Sequence, residues 1–381
     1  MRGPSVRPIA IAAGGTGGHL FPAEALAAEL TARGERIVLF TDSRSAAFDS
    51  PAFANAERFV LSGEGIAGRN LLRAAKGAAK LAAGTLTARS LLKRLDAAAV
   101  VGFGGYPALP PALAALTLGS RRPAVILHEQ NAVLGRANRA LAPRADLLAL
   151  AYAETTKVPL NAKAQVVGNP VRPALAALAG AGYPPADGAL RLLVTGGSLG
   201  ARVFADLVPP AIAALPEAIR SRLLVAQQCR VEDLERVRAA YAGTGIPVEL
   251  SPFFPDIAGR LAGAHLVIAR SGASTVAELA CAGRPSLLLP LPSAIDNHQF
   301  ANARALAEAG AALILPQAST TPARLAELLA EFLSSPERLA EAARAAASLA
   351  RPQAARDLAD LVLALANPVS PIGANLLQEP R

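Results

Sequence analysis

Ile9-Ala-Ile-Ala-Ala13, running into Gly14-Gly-Thr-Gly-Gly-His19 and then into an apolar-periodic stretch from Leu20 to Arg33, reads as a buried strand, a glycine turn and a helix. The same grammar returns 182 residues further on, counted from Gly14 to Gly196. There Leu192-Leu-Val-Thr195 leads into Gly196-Gly-Ser-Leu-Gly-Ala-Arg202 and a helix to about Leu215. Short apolar runs fit further parallel strands at 37–40, 98–101, 125–127, 147–150 and 165–167, then at 223–226, 248–250, 266–269, 286–289 and 312–315. Helical patterns alternate with them, so the chain is predicted to be α/β, with two similar domains in tandem, each a doubly wound parallel sheet. The turn-rich Gly168-Asn-Pro-Val-Arg-Pro173 marks the boundary. Residues 1–168 then form the first domain and 169–352 the second. Pro336 to Leu349 and Gln353 to Ala366 read as helices separated by Arg351-Pro352, the last (353–366) crossing back onto the first domain. The proline-containing tail 367–381 is expected to be loosely ordered.

At 381 residues, 52% hydrophobic and only 18% charged, the chain must be tested for a membrane span. Its longest uncharged run, Ala97 to Ser120, holds four glycines and three prolines, which would leave backbone groups unsatisfied in hydrocarbon. Leu361 to Gln378 is broken by Pro368 and Pro371. Ile9 to Ala13 ends in glycines rather than in a cleavage site, so no signal peptide is read and the cytoplasm is expected. Cys229 and Cys281 are too few for a disulfide framework or a metal cluster.

Charge is uneven. Residues 1–168 carry 20 basic and 11 acidic side chains, whereas 169–381 carry 18 of each. Such a first half suits an anionic membrane or an anionic substrate. Nucleic acid is not expected, because aromatic residues make up 4% of the chain and do not interleave with the basic ones.

Glycine turns between strand and helix let backbone N–H groups approach an anion at the helix N-terminus. Neither turn has the Gly-x-Gly-x-x-Gly dinucleotide spacing, although Asp42 sits where a ribose-binding acid would. A third turn, Gly102-Phe-Gly-Gly-Tyr-Pro107, again opens a helix, and His128-Glu-Gln-Asn-Ala-Val-Leu-Gly135 places four polar side chains at one strand end. In the second half, Arg270-Ser-Gly-Ala-Ser-Thr-Val-Ala-Glu278 follows a strand. Ser271 or Ser274 is a candidate cap there, Arg270 a candidate diphosphate contact, and Glu278 a carboxylate suited to a ribose diol. Asp296-Asn-His-Gln-Phe-Ala-Asn302 supplies the hydrogen-bonding groups a sugar needs, or a helix start capped by Asp296.

Taken together and in this order, GGTGGHLFPA from Gly14, GFGGYP from Gly102, HEQNAVLGRAN from His128, GNPVR from Gly168, GGSLGAR from Gly196, RSGASTVAEL from Arg270 and DNHQFANA from Asp296 resemble the MurG family. These bacterial glycosyltransferases add N-acetylglucosamine to lipid I, undecaprenyl-pyrophosphoryl-MurNAc-pentapeptide, to give the peptidoglycan precursor lipid II. The matching segments run along some 290 residues. The resemblance implies the GT-B fold, two Rossmann-like domains with an interdomain cleft. It implies that the second domain holds UDP-N-acetylglucosamine and the first the lipid-linked acceptor. Ser198, Arg172 and the helix start Ala273, Ser274 and Thr275 would hold the diphosphate, with Val276 and Ala277 also among the donor-binding residues. Glu278 would take the ribose, the backbone near Phe254 the uracil, and Gln299 the sugar hydroxyls. Thr16, Gly17, Gly18 and Asn131 would border the transferred sugar, and Tyr106 would lie on the acceptor side.

The implied chemistry is inverting displacement at the anomeric carbon by the C4 hydroxyl of the muramyl sugar, with UDP leaving. It needs a base. Imidazole titrates near working pH, which makes His19 the first candidate and Glu129 the second. The chain has no Asp-x-Asp pair, so no cofactor is expected beyond a divalent ion loosely bound to the diphosphate; helix dipoles and Arg172 would stabilise the leaving group. Between Arg69 and Arg94 lie seven basic and no acidic residues. Arg69, Arg73, Lys76 and Lys80 follow helical spacing beside Leu71, Leu72, Ala75, Ala79 and Ala82, the pattern of a helix on an anionic leaflet. A peripheral place on the inner face of the cell membrane follows, with other cell-wall synthesis proteins as natural partners. The alternative is a related GT-B UDP-sugar transferase acting on another lipid. A UDP-sugar epimerase of the same fold has no need of a basic face, and a non-catalytic sensor none of two half-sites.

Overall fold

The structure, a computed structural model, describes residues 7–15, 17–48, 50–61, 71–197 and 200–367. Thr16, Ser198, Arg69 and the tail from Pro368 lie outside the described residues, as does the side chain of Arg73.

The chain divides into two compact units. The first takes the described residues up to Pro173 and those from Gln353 onward, and the second runs from Ala174 to Pro352. In the first unit seven parallel strands, β1 (Ile9–Ala12), β2 (Ile37–Thr41), β3 (Glu57–Val60), β4 (Ala99–Gly102), β5 (Ala124–Glu129), β6 (Leu147–Leu150) and β7 (Ala164–Val166), lie in the order β3-β2-β1-β4-β5-β6-β7. Ile9 pairs in register with Ile37 on one side and Ala99 on the other, so β1 is the strand from which the winding reverses. That reversal is where ligands bind in such sheets.

Strands β1, β2 and β4 are apolar on both faces because both are covered. Ile9, Ile11 and Val101 pack with Leu26 and Leu30 of helix Gly17–Ala32 and with Leu358 and Val362 of helix Ala354–Ala366. Ala10, Val38, Phe40 and Val100 pack on the other side with Ala88 and Leu92 of helix Leu71–Leu95 and Ala112 of helix Gly105–Leu116. The expected return helix is thus part of the first core. Fully burying Leu358, Leu361 and Val362 is worth roughly 2 kcal/mol each.

The second unit repeats the plan with β8 (Leu190–Thr195), β9 (Leu223–Gln228), β10 (Val248–Ser251), β11 (Leu266–Ala269), β12 (Ser286–Leu288) and β13 (Ala312–Ile314), all parallel, in the order β10-β9-β8-β11-β12-β13. Here β8 is the reversal strand, and the second glycine turn follows it. Among the described residues no helix is long and apolar enough to cross a membrane.

Three expectations change. Strand β3 has no counterpart in the sequence reading: Glu57-Arg58 interrupts any apolar run, and as an edge strand it needs only one paired side. Residues 169–173 stay with the first unit instead of opening the second. His128 Nε2 bonds the Gly168 carbonyl and the Arg172 guanidinium stacks 4.3 Å from the Phe21 ring centre, which ties the segment down. The first helix begins at Gly17, three residues early, so His19 lies in its first turn.

Candidate active site

In the first unit the candidate residues gather at the carboxyl ends of β1, β4 and β5, which are neighbours in the sheet. His19 rises from the helix start after β1. The turn after β4 passes against its ring: a Cβ on Gly105 would come within 3.3 Å of His19 Cδ2 and Nε2, and one on Gly104 within 3.5 Å of Cε1. Both glycines have positive φ, +77° at Gly104 and +68° at Gly105, so a side chain at either strains the backbone, and at Gly105 it would also crowd the His19 ring. Asp42 turns out to be a brace. Burial raises its carboxyl, but hydrogen bonds from Arg44 and Ser45 win and hold it below the usual range. Ser45 Oγ in turn accepts from Gly15 N at 2.8 Å, fixing the first glycine turn.

From β5 comes a buried polar row. His19 Nδ1 lies 3.1 Å from Gln130 Oε1, Gln130 Nε2 lies 3.0 Å from His128 Nδ1, and His128 Nε2 lies 3.0 Å from the Gly168 carbonyl. Gln130 is 1% exposed and His128 not at all. Glu129, next to them, is 2% exposed. Its Oε1 accepts from Asn131 N and Nδ2 at 3.1 and 3.0 Å, and its Oε2 from Gly135 N and Asn138 Nδ2 at 2.8 and 3.0 Å. The second candidate base is therefore spent on four donors and acts as the knot of the loop after β5. Asn131 is oriented by that knot.

Burial pushes the His128 imidazole down to about 4, against the Gly168 carbonyl and the Glu129 charge, which both favour its protonation. The unfolded chain takes up that proton near 6.5, so between those values the unfolded state binds more protons. The contribution is fully present above about pH 6.5 and is lost as pH falls towards 4, to a total of about 3 kcal/mol. Denaturation midpoints measured from pH 7.5 to 4.5 should decline accordingly, and less steeply in His128→Phe. Equal slopes in the two proteins would sink this account.

In the second unit the turn after β8 is drawn tight by Gln228, which the sequence reading missed. Gln228 Oε1 accepts from Thr195 Oγ1 at 3.0 Å and Gly196 N at 2.9 Å, while its Nε2 donates to the carbonyls of Gly197 and Pro252 at 2.8 and 3.1 Å. A Cβ on Gly196 would stand 2.3 Å from Ala201 N, so only glycine closes this turn. One signal was available: a glutamine at the end of an otherwise apolar strand needs buried partners.

Helix Ala273–Ala282 starts at Gly272 with no side-chain cap. Neither expected serine caps it: Ser271 precedes the start, Ser274 lies inside the first turn, and both hydroxyls are buried without a hydrogen bond. Unsatisfied first-turn N–H groups beside two such hydroxyls form a surface suited to an anion. Val276 is buried, while Thr275, Ala277 and Glu278 are half-buried on the same helix. Arg270 is not available to a diphosphate. Its guanidinium donates to the carbonyls of Leu289 and Pro290 and to Gln317 Oε1, and burial lowers its pKa from the ordinary arginine value. Arg172, expected beside the donor, belongs to the first unit.

Gln299 Oε1 accepts from Leu291 N at 2.9 Å, and Asn302, fully buried, donates to the Ser271 carbonyl at 3.2 Å. The helix carrying both, His298–Glu308, starts from Asn297 in a left-handed conformation, so Asp296 does not cap it. Phe254 is buried, with the Arg260 guanidinium 4.0 Å above its ring. Among the described residues no three His, Cys, Asp or Glu side chains gather as a metal cluster.

Helix Leu71–Leu95 buries Gly77, Gly84, Ala88 and Leu92 and leaves Ala75, Lys76, Ala79, Ala82 and Leu86 exposed, with Lys80 half-buried. Tyr106 OH donates to the Gly77 carbonyl at 3.3 Å, pinning this helix to its neighbour.

Comparison with known proteins agrees with this layout. The glycosyltransferase family 28 N-terminal domain matches residues 9–149 and the family 28 C-terminal domain residues 191–361. The UDP-N-acetylglucosamine–N-acetylmuramyl-(pentapeptide) pyrophosphoryl-undecaprenol N-acetylglucosamine transferase of Granulibacter bethesdensis is 56% identical over 95% of this chain and 94% of its own length. The enzyme of the same name from Acidiphilium cryptum is 56% identical over 95% and 98%. The crystal structure of Acinetobacter baumannii MurG superposes with a TM-score of 0.75 at 32% identity, covering 94% of this chain and 99% of that one.

Proposed function

We infer the reaction from one premise: the chain belongs to glycosyltransferase family 28, and within it to the MurG transferases. It transfers N-acetylglucosamine from UDP-N-acetylglucosamine to lipid I, forming lipid II for peptidoglycan. The observation that carries this is identity above half along 95% of the chain, through both units rather than one.

The division of labour is our proposal. The first unit takes the muramyl sugar of lipid I, and His19 removes the proton from its C4 hydroxyl as the oxygen attacks the anomeric carbon with inversion. The second unit holds the donor. The open start of helix Ala273–Ala282, with Ser274 and Thr275 in its first turn, stabilises the charge that develops on UDP. Ser198 and Arg172 complete the diphosphate side, with Glu278 on the ribose, the backbone at Phe254 on the uracil and Gln299 on sugar hydroxyls. Thr16, Gly17, Gly18 and Asn131 border the transferred sugar. The exposed side of helix Leu71–Leu95, with Lys76 beside Ala75, Ala79 and Leu86, rests on the anionic inner face of the cell membrane, and Tyr106 fixes its mounting. The basic excess of residues 1–168 supports that docking.

The test is transfer of labelled N-acetylglucosamine to a lipid I analogue, with and without excess chelator. Lipid-linked disaccharide is expected at rates within about twofold of each other, because helix dipole and side chains carry the leaving charge. A rate abolished by chelator and restored by magnesium would refute the metal-independent route. Folded protein that binds UDP but never modifies lipid I would point to the other lipid acceptor.

A further inference from the structure

We propose that Gln130 is a positioning residue that holds His19 in the tautomer with the proton on Nδ1 and the lone pair on Nε2. The proposal deepens the reading of His19 as base and rests on it for its catalytic meaning. The polar row after β5 has only one consistent direction. The Gly168 carbonyl can only accept, so His128 Nε2, 3.0 Å away, must donate. A neutral imidazole with its proton on Nε2 presents a lone pair at Nδ1, and this receives Gln130 Nε2 at 3.0 Å. The same amide nitrogen lies 3.1 Å from the His128 carbonyl, a second group that can only accept. Two independent acceptors therefore fix which end of the Gln130 amide is nitrogen. Its oxygen faces His19, and the ring nitrogen 3.1 Å from that oxygen, Nδ1, must donate.

A histidine side chain in water prefers the opposite arrangement, with the proton on Nε2, so the row reverses the intrinsic choice. The partner of one ring nitrogen sets the state of the other. When Nε2 accepts the proton from the acceptor hydroxyl, the Nδ1–H that remains already has its acceptor, so the imidazolium forms without rearrangement. Burial keeps His128 neutral in the pH range where the enzyme would work, so the direction does not reverse there. The neighbouring carboxylate, Glu129, is occupied by Asn131, Gly135 and Asn138 and does not compete for either ring.

The test reads tautomers directly in the full-length, 15N-labelled protein by two-bond nitrogen–proton correlation of its four histidines, His19 and His128 being assigned from His19→Ala and His128→Phe. Wild type should show His19 protonated on Nδ1 and His128 on Nε2. In Gln130→Leu, His19 should shift to a mixture or to Nε2–H, with kcat down roughly 10- to 100-fold and the KM for UDP-N-acetylglucosamine within about twofold. His19 found as Nε2–H in wild type, or left on Nδ1 in Gln130→Leu, overturns the proposal. If Gln130→Leu does not fold, the wild-type spectrum still decides. A tautomer that moves while kcat stays unchanged supports the assignment of Gln130 and removes His19 from the role of base, so the two readings fail separately.

Discussion

His19→Ala is expected to lower kcat for lipid II formation about a thousandfold while leaving UDP binding within about twofold of wild type. The side chain stands at the carboxyl end of the reversal strand β1, beside two glycines whose positive φ disfavours side chains of their own, and its Nδ1 is held by Gln130. Its removal costs the first unit little packing, because the ring is only half-buried. Thermal midpoint and nucleotide affinity should therefore stay put while turnover collapses. A variant that retains a tenth of wild-type kcat would assign the imidazole a hydrogen-bonding role and place proton removal elsewhere.

Glu129→Ala should also abolish activity, for a different reason. The carboxylate is buried and gathers four donors, two from Asn131 and one each from Gly135 and Asn138. Alanine leaves those donors unpaired in a dry place, at a cost of about 3–5 kcal/mol. For a unit of this size that lowers the midpoint by about 10 °C. Glu129→Gln keeps one oxygen and turns its NH2 towards two donors, so an intermediate loss is expected. The comparison with His19→Ala separates a brace from a base: one lowers stability and activity together, the other activity alone. A Glu129→Ala protein with an unchanged midpoint and no turnover would return the carboxylate to the chemistry.

The repeated strand–glycine–helix units were legible in the sequence because fully buried parallel strands are short unbroken apolar runs, and only glycine permits the turns that follow them. Strand β3 was not, since Glu57-Arg58 at a sheet edge looks like loop. Site residues were legible as chemical types in motifs, but not in their partners. Arg270 looked like an anion ligand and is absorbed by carbonyls from the loop after β12, and Asp42 looked like a ribose acid and serves the turn beside it. Gln228 was passed over because its four partners lie far away along the chain or on the turn itself. Sequence spacing places a side chain on an element; which neighbour claims its hydrogen bonds is settled only when distant segments meet.

Helix Ala354–Ala366 packs Leu358, Leu361 and Val362 into the core that begins with Ile9, and this has a consequence for biosynthesis. The first unit is discontinuous, with the whole of the second inserted before its last helix. Residues 174–352 leave the ribosome ahead of that helix, so the second unit can close its core while the first still lacks one wall. Emergence from the ribosome and completion of the two cores therefore run in opposite orders, and until the last helix arrives that face of β1 and β4 is covered only in part, by helix Gly17–Ala32.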